Sequence, residues 1–180
     1  HREVAERVLA VRGKRFEKYG LRLRPDKTRL IEFGRDALTK SEEGGGPKPA
    51  TFDFLGFTHV CRRSRRGKFT IHVRTMRKRL RRSLKRVSAW CQRHRHEPLV
   101  EQWAALNAKL RGHYQYYGRA TNFRRLWEFY RAVRQLWRKW LNRRTRGRTL
   151  PWRRYAALLV AYPLQRPYIA RPWVGAVSHV

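Results

Sequence analysis

The chain has 180 residues, which suits one domain of ordinary size or two small ones. A hydrophobic content of 41% is enough for a core and argues against wholesale disorder, while 45 Lys plus Arg against 12 Asp plus Glu leave a formal charge of +33. Such an excess repels itself in the folded state unless a polyanion neutralises it, which points to nucleic acid first and to an acidic membrane surface second.

The charge is unevenly placed. His1 to Asp53 carries a net of +4, whereas Phe54 to Val180 carries +29, with Glu97, Glu101 and Glu128 as its only acids. The partner-binding surface is therefore expected in the second stretch. Arginine supplies 35 of the 45 cations; its fork suits bidentate phosphate contacts and stacking on bases. Cys61 and Cys91 stand alone, so neither a disulfide framework nor a zinc ribbon is indicated, and a reduced, cytoplasmic setting fits. No apolar run is long enough to span a membrane. The sequence opens on His1 and its one methionine is Met76, so a piece of a longer product is expected.

In chain order, Val4, Val8, Val11, Phe16 and Tyr19 recur near helical spacing, with Gly20 as the stop. Leu21 and Leu23 then alternate, Pro25-Asp26 turns the chain, and Leu30 to Phe33 reads as a strand. Residues 37–51, with three glycines and two prolines, are expected to be a flexible loop. TFDFLGFTHV reads as a strand, RRSRRGK as a basic turn and FTIHV as the returning strand. From Met76 the pattern turns helical, through Leu80, Leu84, Val87 and Cys91. A second helix starts near Pro98 and runs to Gly118; Asn122 is expected to cap a third and Thr149 a short fourth, with an extended Pro-containing tail beyond. The expected class is α+β: an α/β piece over 1–60, a basic hairpin over 61–75, a helical domain over 76–145, and a short helix with tail over 146–180, giving a bundle of three to four helices.

On the first bundle helix, Arg77-Arg81, Arg81-Lys85, Lys78-Arg82 and Arg82-Arg86 are like-charge pairs four residues apart. Each costs roughly 0.2–0.5 kcal/mol, so the set costs about 1–2 kcal/mol that bound phosphate would remove. The hairpin adds Arg62, Arg63, Arg65, Arg66 and Lys68 as phosphate contacts. In LRGHYQYYGR, helical spacing assigns Leu110, Tyr114 and Tyr117 to the core, and His113 and Tyr116, beside Arg111 and Arg119, to a face that meets a ligand; Arg124 joins the same set. Cys91, His94 and His96 supply only three local ligands with no matching second half, so no metal site is expected.

GLRLRPDKTRLIEFG followed by FDFLGFTHVCRRSRRGKF resembles the last two blocks of the reverse transcriptases encoded by group II introns. RTMRKRLRRSLKRVSAWCQ, LNAKLRGHYQYYG and NFRRLWEFYRAVRQLWRKWLNRR resemble the maturase-specific, or thumb, domain of the same proteins. The likeness runs from Glu3 to Pro167. It implies the end of a reverse-transcriptase palm followed by a helical thumb. Phe54, Leu55, Gly56 and Phe57 would lie near the primer terminus, and Lys27 would approach the incoming nucleotide, placed to protonate pyrophosphate. The implied partners are group II intron RNA, an RNA template with its DNA primer, and the fingers and palm of a parent protein in a bacterial, nucleoid-associated setting, with no membrane.

The family's YADD block is absent, and Asp26, Asp36 and Asp53 are scattered singly. Two-metal phosphoryl transfer needs clustered carboxylates. The chain alone is therefore expected to have no polymerase activity and to need no cofactor of its own; Mg2+ and deoxynucleoside triphosphates belong to the full-length parent. Two other readings remain: a standalone, non-catalytic RNA chaperone or splicing factor derived from such an element, and a fragment of another reverse-transcriptase class.

Overall fold

A computed structural model describes residues 2–24, 28–144 and 149–170. The architecture is α+β, with six α-helices and a three-stranded antiparallel sheet among the described residues. The chain forms two compact units, His1–Thr51 with Cys61–Thr70, and Phe52–Val60 with Ile71–Val180.

The first unit holds helices α1 (Arg2–Glu17) and α2 (Arg35–Glu43). Gly20 stops α1 as expected: it adopts φ 69°, its N–H donates to the Glu17 carbonyl at 3.0 Å, and Leu21 N–H reaches back to the Phe16 carbonyl at 3.0 Å. That paired closure satisfies carbonyls the helix leaves open. The valines Val4, Val8 and Val11 form no core; each is more than half exposed. Leu30 to Phe33 is not a strand. Its Glu32 carbonyl accepts from Ala50 N–H at 3.2 Å, a link rather than a ladder, and Leu30 stays exposed.

The expected loop 37–51 is helical over its first part, because α2 claims Ala37 and Leu38 for burial and sets Asp36 at its positively polarised start. Gly44 closes it through its N–H on the Lys40 carbonyl, and only the glycine–proline stretch after it is irregular. The breakers were placed correctly, but their influence does not extend back through ALTKSEE. The Pro25-Asp26 turn, Lys27 and Pro172 lie outside the described residues.

The sheet runs β1 (Phe52–Phe54), β2 (Phe57–Arg63) and β3 (Phe69–Thr75) in sequence order. TFDFLGFTHV is thus two strands rather than one, paired Phe52 to His59, Asp53 to Thr58 and Phe54 to Phe57. Leu55 (φ 47°) and Gly56 (φ 82°) make the two-residue connection. Positive φ at both central positions is the primed turn that matches strand twist.

The second unit is built around α3 (Arg77–Arg93), α4 (Leu99–Tyr117), α5 (Phe123–Leu141) and α6 (Trp152–Ala161). Leu80, Val87 and Cys91 of α3 meet Leu106, Leu110 and Tyr114 of α4, Leu126, Phe129, Val133 and Trp137 of α5, and Tyr155 of α6 in one buried cluster. These are the apolar positions that helical spacing selects, and each fully buried large side chain contributes about 1.5–3 kcal/mol. Several polar groups in the core are paired. Gln102 accepts from Trp137 Nε1 at 3.0 Å and donates to the Glu97 carbonyl at 2.8 Å, and the Tyr155 hydroxyl donates to the Arg134 carbonyl at 2.7 Å.

Two expected caps are not made. Asn122 precedes α5 but makes no capping bond; its side chain accepts from Thr75 N–H at 2.8 Å and donates to Thr75 Oγ1 and the Tyr117 carbonyl, each at 2.8 Å. Pro151, not Thr149, precedes α6. After α6 the chain carries neither helix nor strand up to residue 170, and α4 holds it: Trp103 Nε1 donates to the Pro163 carbonyl at 2.8 Å, and Asn107 Oδ1 accepts from Gln165 N–H at 2.6 Å.

Candidate nucleic-acid interface

Six of the expected phosphate contacts, Arg77, Lys78, Arg81, Arg82, Lys85 and Arg86, lie exposed on α3 in two adjacent rows. Eight residues from Arg77 to Lys85 advance about 12 Å along the axis. Among the described residues, no carboxylate is within ion-pair distance of any of them. The helix start sharpens this. Arg77, Lys78 and Arg79 occupy the first turn with no acid, and Met76 offers no side-chain cap. Cations therefore stack on the positive end of the helix dipole, the arrangement opposite to the stabilising one. An anion at that end would meet both free N–H groups and guanidiniums.

Around this helix start, separate stretches converge within the second unit. Met76 N–H donates to the Gly56 carbonyl at 3.0 Å, tying α3 to the β1–β2 turn. The Tyr116 hydroxyl, at the end of α4, donates to the Leu55 carbonyl at 2.8 Å. Phe57 is buried between tyrosines, with ring centres 5.9 Å from Tyr116 and 5.3 Å from Tyr117. A Cβ on Gly56 would stand 3.2 Å from the Tyr117 hydroxyl and crowd that ring, while the φ of 82° by itself favours glycine. Thr121 Oγ1 exchanges hydrogen bonds with both backbone groups of Val73, at 3.0 and 3.1 Å.

On that platform the turn displays Phe54 and Leu55, 59% and 67% exposed. Leu55 sits in the left-handed region, which costs a leucine roughly 1–2 kcal/mol. An exposed apolar residue is thus held in a strained conformation, with its carbonyl anchored by a tyrosine.

The tyrosine cluster divides, though not as expected. Tyr114 is buried and Tyr116 exposed, in line with the spacing, while Tyr117 is only half-buried. His113, expected on the ligand face, is a core residue: its ring stacks on Phe129 at 3.7 Å and its Nε2 is buried without a partner. The apolar stripe of α4 is wide enough to include it. Burial holds its pKa down at about 4, so the ring is neutral. Burial also raises the Tyr117 phenol, followed by Tyr116, with the charge of Arg79 acting against the rise. Arg79 thus lies near Tyr117 although sequence reasoning passed over it; its place in an acid-free first helical turn was the one available signal, and its nearness to YQYY had none. The strain at Leu55 had none, because Leu-Gly lacks the Asn-Gly or Asp-Gly mark of such turns.

Arg111 is exposed on α4, Arg119 half-buried after it, and Arg124 exposed on α5, 3.7 Å from Glu128. In the first unit, Arg62, Arg65, Arg66 and Lys68 are exposed on β2 and its turn. Arg63 is engaged instead: Nε pairs with Glu42 at 2.5 Å and a terminal nitrogen donates to the Gly67 carbonyl at 3.1 Å. Lys27 lies outside the described residues.

The metal chemistry that the family resemblance implies does not fit the described residues. Asp53 is an exposed strand residue that accepts from Thr58 Oγ1 at 2.5 Å, Asp36 sits in the first turn of α2, and no group of three or more His, Cys, Asp or Glu side chains gathers among the described residues. Cys91 is fully buried with its thiol pushed up to about 12 by desolvation, and His94 stacks on Trp90 and pairs with Glu97 at 2.5 Å. No helix among the described residues is long and apolar enough to cross a membrane. Compared with protein-family profiles, curated proteins and solved structures, the chain matches none.

Proposed function

We propose that this chain is the C-terminal, RNA-gripping portion of a group II intron reverse transcriptase and maturase, binding intron RNA and template–primer without catalysing polymerisation itself. One observation carries the reading: the uncapped, acid-free start of α3, with Arg77, Lys78 and Arg79, lies hydrogen-bonded to a strained turn that displays Phe54 and Leu55 beside Tyr116. Cations there neutralise phosphates, and the exposed ring and aliphatic tip meet sugars or unstacked bases. The α3 rows extend the phosphate track along the helix, with Arg111, Arg119 and Arg124 as additional donors. The role of Phe54 to Phe57 at a primer terminus follows from the family resemblance and is part of the same proposal.

The test is filter or fluorescence binding of a folded group II intron transcript across a salt series. The logarithm of the association constant is expected to fall with that of salt at a slope of about −4 to −8, matching six or more phosphates neutralised. Arg77→Glu and Arg81→Glu are each expected to make the slope shallower by about 1. A slope near −1, or an unchanged slope in both variants, overturns the reading. Primer extension by the chain alone is expected to be nil.

A further inference from the structure

We propose that a trough over the outer face of α5 receives an acidic amphipathic helix from a protein partner, a role that does not rest on the RNA reading. Two adjoining depressions in the second unit form it, sharing Gln135 and Lys139. The larger, about 570 Å³, lies between α3 and α5; Leu84, Ala132 and Leu136 give it an aliphatic floor, and Arg81, Lys85 and Lys139 stand around it. The smaller, about 340 Å³, continues toward α6 and ends at Arg138, Arg143 and Trp152. Arg138 is fixed there, its guanidinium 3.9 Å from the Trp152 ring and bonded to the Leu150 carbonyl at 3.0 and 3.2 Å. The trough is therefore apolar in the middle and cationic along its rim and at its far end.

That pattern selects its occupant. A phosphodiester backbone has nothing to lay on Leu84 and Leu136, and bases prefer planar rings and guanidiniums to leucine floors. A helix with apolar residues three and four apart fills such a floor and flanks it with carboxylates at the spacing of Arg81, Lys85 and Lys139. A second copy of this chain is a poor match, since it carries 45 Lys plus Arg against 12 Asp plus Glu, a charge of +33. Its own residues 171–180 include no Asp or Glu to meet the rim. The occupant is an acidic helix from another protein.

The experiment uses the full chain and a fluorescein-labelled peptide of about 18 residues, long enough to be partly helical, with leucines on one face and glutamates elsewhere. A scrambled peptide of the same composition and a short single-stranded RNA are the comparators. The amphipathic peptide is expected to bind at least about tenfold tighter than the scrambled one, and to keep that margin at about 0.5 M salt, where exposed charge pairs are screened. Lys139→Glu, an exposed substitution, is expected to weaken it about fivefold or more while leaving the melting temperature in place, and Leu136→Asn to weaken it further. Equal binding of both peptides reduces the trough to bulk charge and overturns the proposal. Unchanged peptide binding in Lys139→Glu overturns its location, and RNA binding that falls in Lys139→Glu while peptide binding does not assigns the trough to nucleic acid.

Discussion

The two units of this molecule are held by different physics. Among the described residues, 2–24, 28–51 and 61–70 bury little apolar surface, chiefly Ala37, Leu38 and Cys61, and are laced instead by the α1 closure, the Lys40–Glu32 and Arg63–Glu42 pairs and the Gly34 N–H on Cys61 Sγ. The helical unit buries a continuous cluster from Leu80 to Leu164 and carries its cations almost unopposed. Exposed ion pairs contribute little, about 0–1 kcal/mol each, whereas a single buried aromatic contributes several times that. Cohesion through burial is what allows α3 to keep like charges in rows and at its own helix start. The unit with the fewest acids is also the one that tolerates their absence.

The hardest blow to that contrast is expected at Trp137. It is fully buried and donates to Gln102, so Trp137→Ala removes a ring from the core and leaves a buried amide oxygen unpaired. Urea denaturation followed by far-ultraviolet circular dichroism is expected to show a loss of about 3–5 kcal/mol. A loss under about 1 kcal/mol would mean that the helical unit is not core-dominated.

The next effect is one of pH. Burial depresses His113 from the ordinary 6.5 to about 4, so the unfolded chain takes up its proton before the folded one does. Stability from this group is complete above about pH 6.5 and is lost as pH falls toward 4, by an amount on the order of 3 kcal/mol. Carboxylates titrate in part of the same window, so the readout is the difference between the parent chain and His113→Phe, whose stability is expected to fall less steeply there. Parallel curves for the two would place His113 in contact with water.

A smaller effect of opposite sign is expected at the turn. Leu55→Gly releases the positive-φ strain and is expected to raise stability by about 1 kcal/mol, less the entropy that glycine adds to the unfolded chain. The same change is expected to weaken binding of the intron transcript, because it removes the exposed tip. A variant that gains stability and keeps full RNA affinity would detach the strain from function.

Legibility in the sequence followed the same division. The bundle helices were readable because long apolar stripes on α3, α4 and α5 report burial directly, and Gly118 and Pro98 punctuate them. His113 was misassigned because helical spacing set it on a different face from Tyr114, whereas the buried face of α4 is wide enough to take both; burial keeps the ring neutral, which lowers the cost of its unpaired Nε2 without removing it. Asn122 sat where a cap belongs, yet the end of β3 competes for its amide and wins. Long-range contacts of this kind, Thr75 to Asn122 or Leu55 to Tyr116, leave no mark on local periodicity. In the first unit the valines of α1 have a readable period but no burial to go with it, which is why a helical pattern there predicted a helix and not a core.

Those valines provide the gentlest test and the one that bears most directly on the contrast. Val8 is 51% exposed in the middle of α1, and glutamate is the better helix former. Val8→Glu is expected to shift unfolding by no more than about 0.5 kcal/mol in either direction. It also places a carboxylate one turn before Arg12, a spacing that favours the helix slightly. Stability measured over a tenfold range of protein concentration separates two causes if the change proves costly. A concentration-dependent loss would show that a second copy covers the Val4–Val8–Val11 stripe in solution, and a concentration-independent one that α1 buries this face within its own unit. In both cases the first unit would owe its cohesion to apolar burial after all, and its difference from the helical unit would be one of degree.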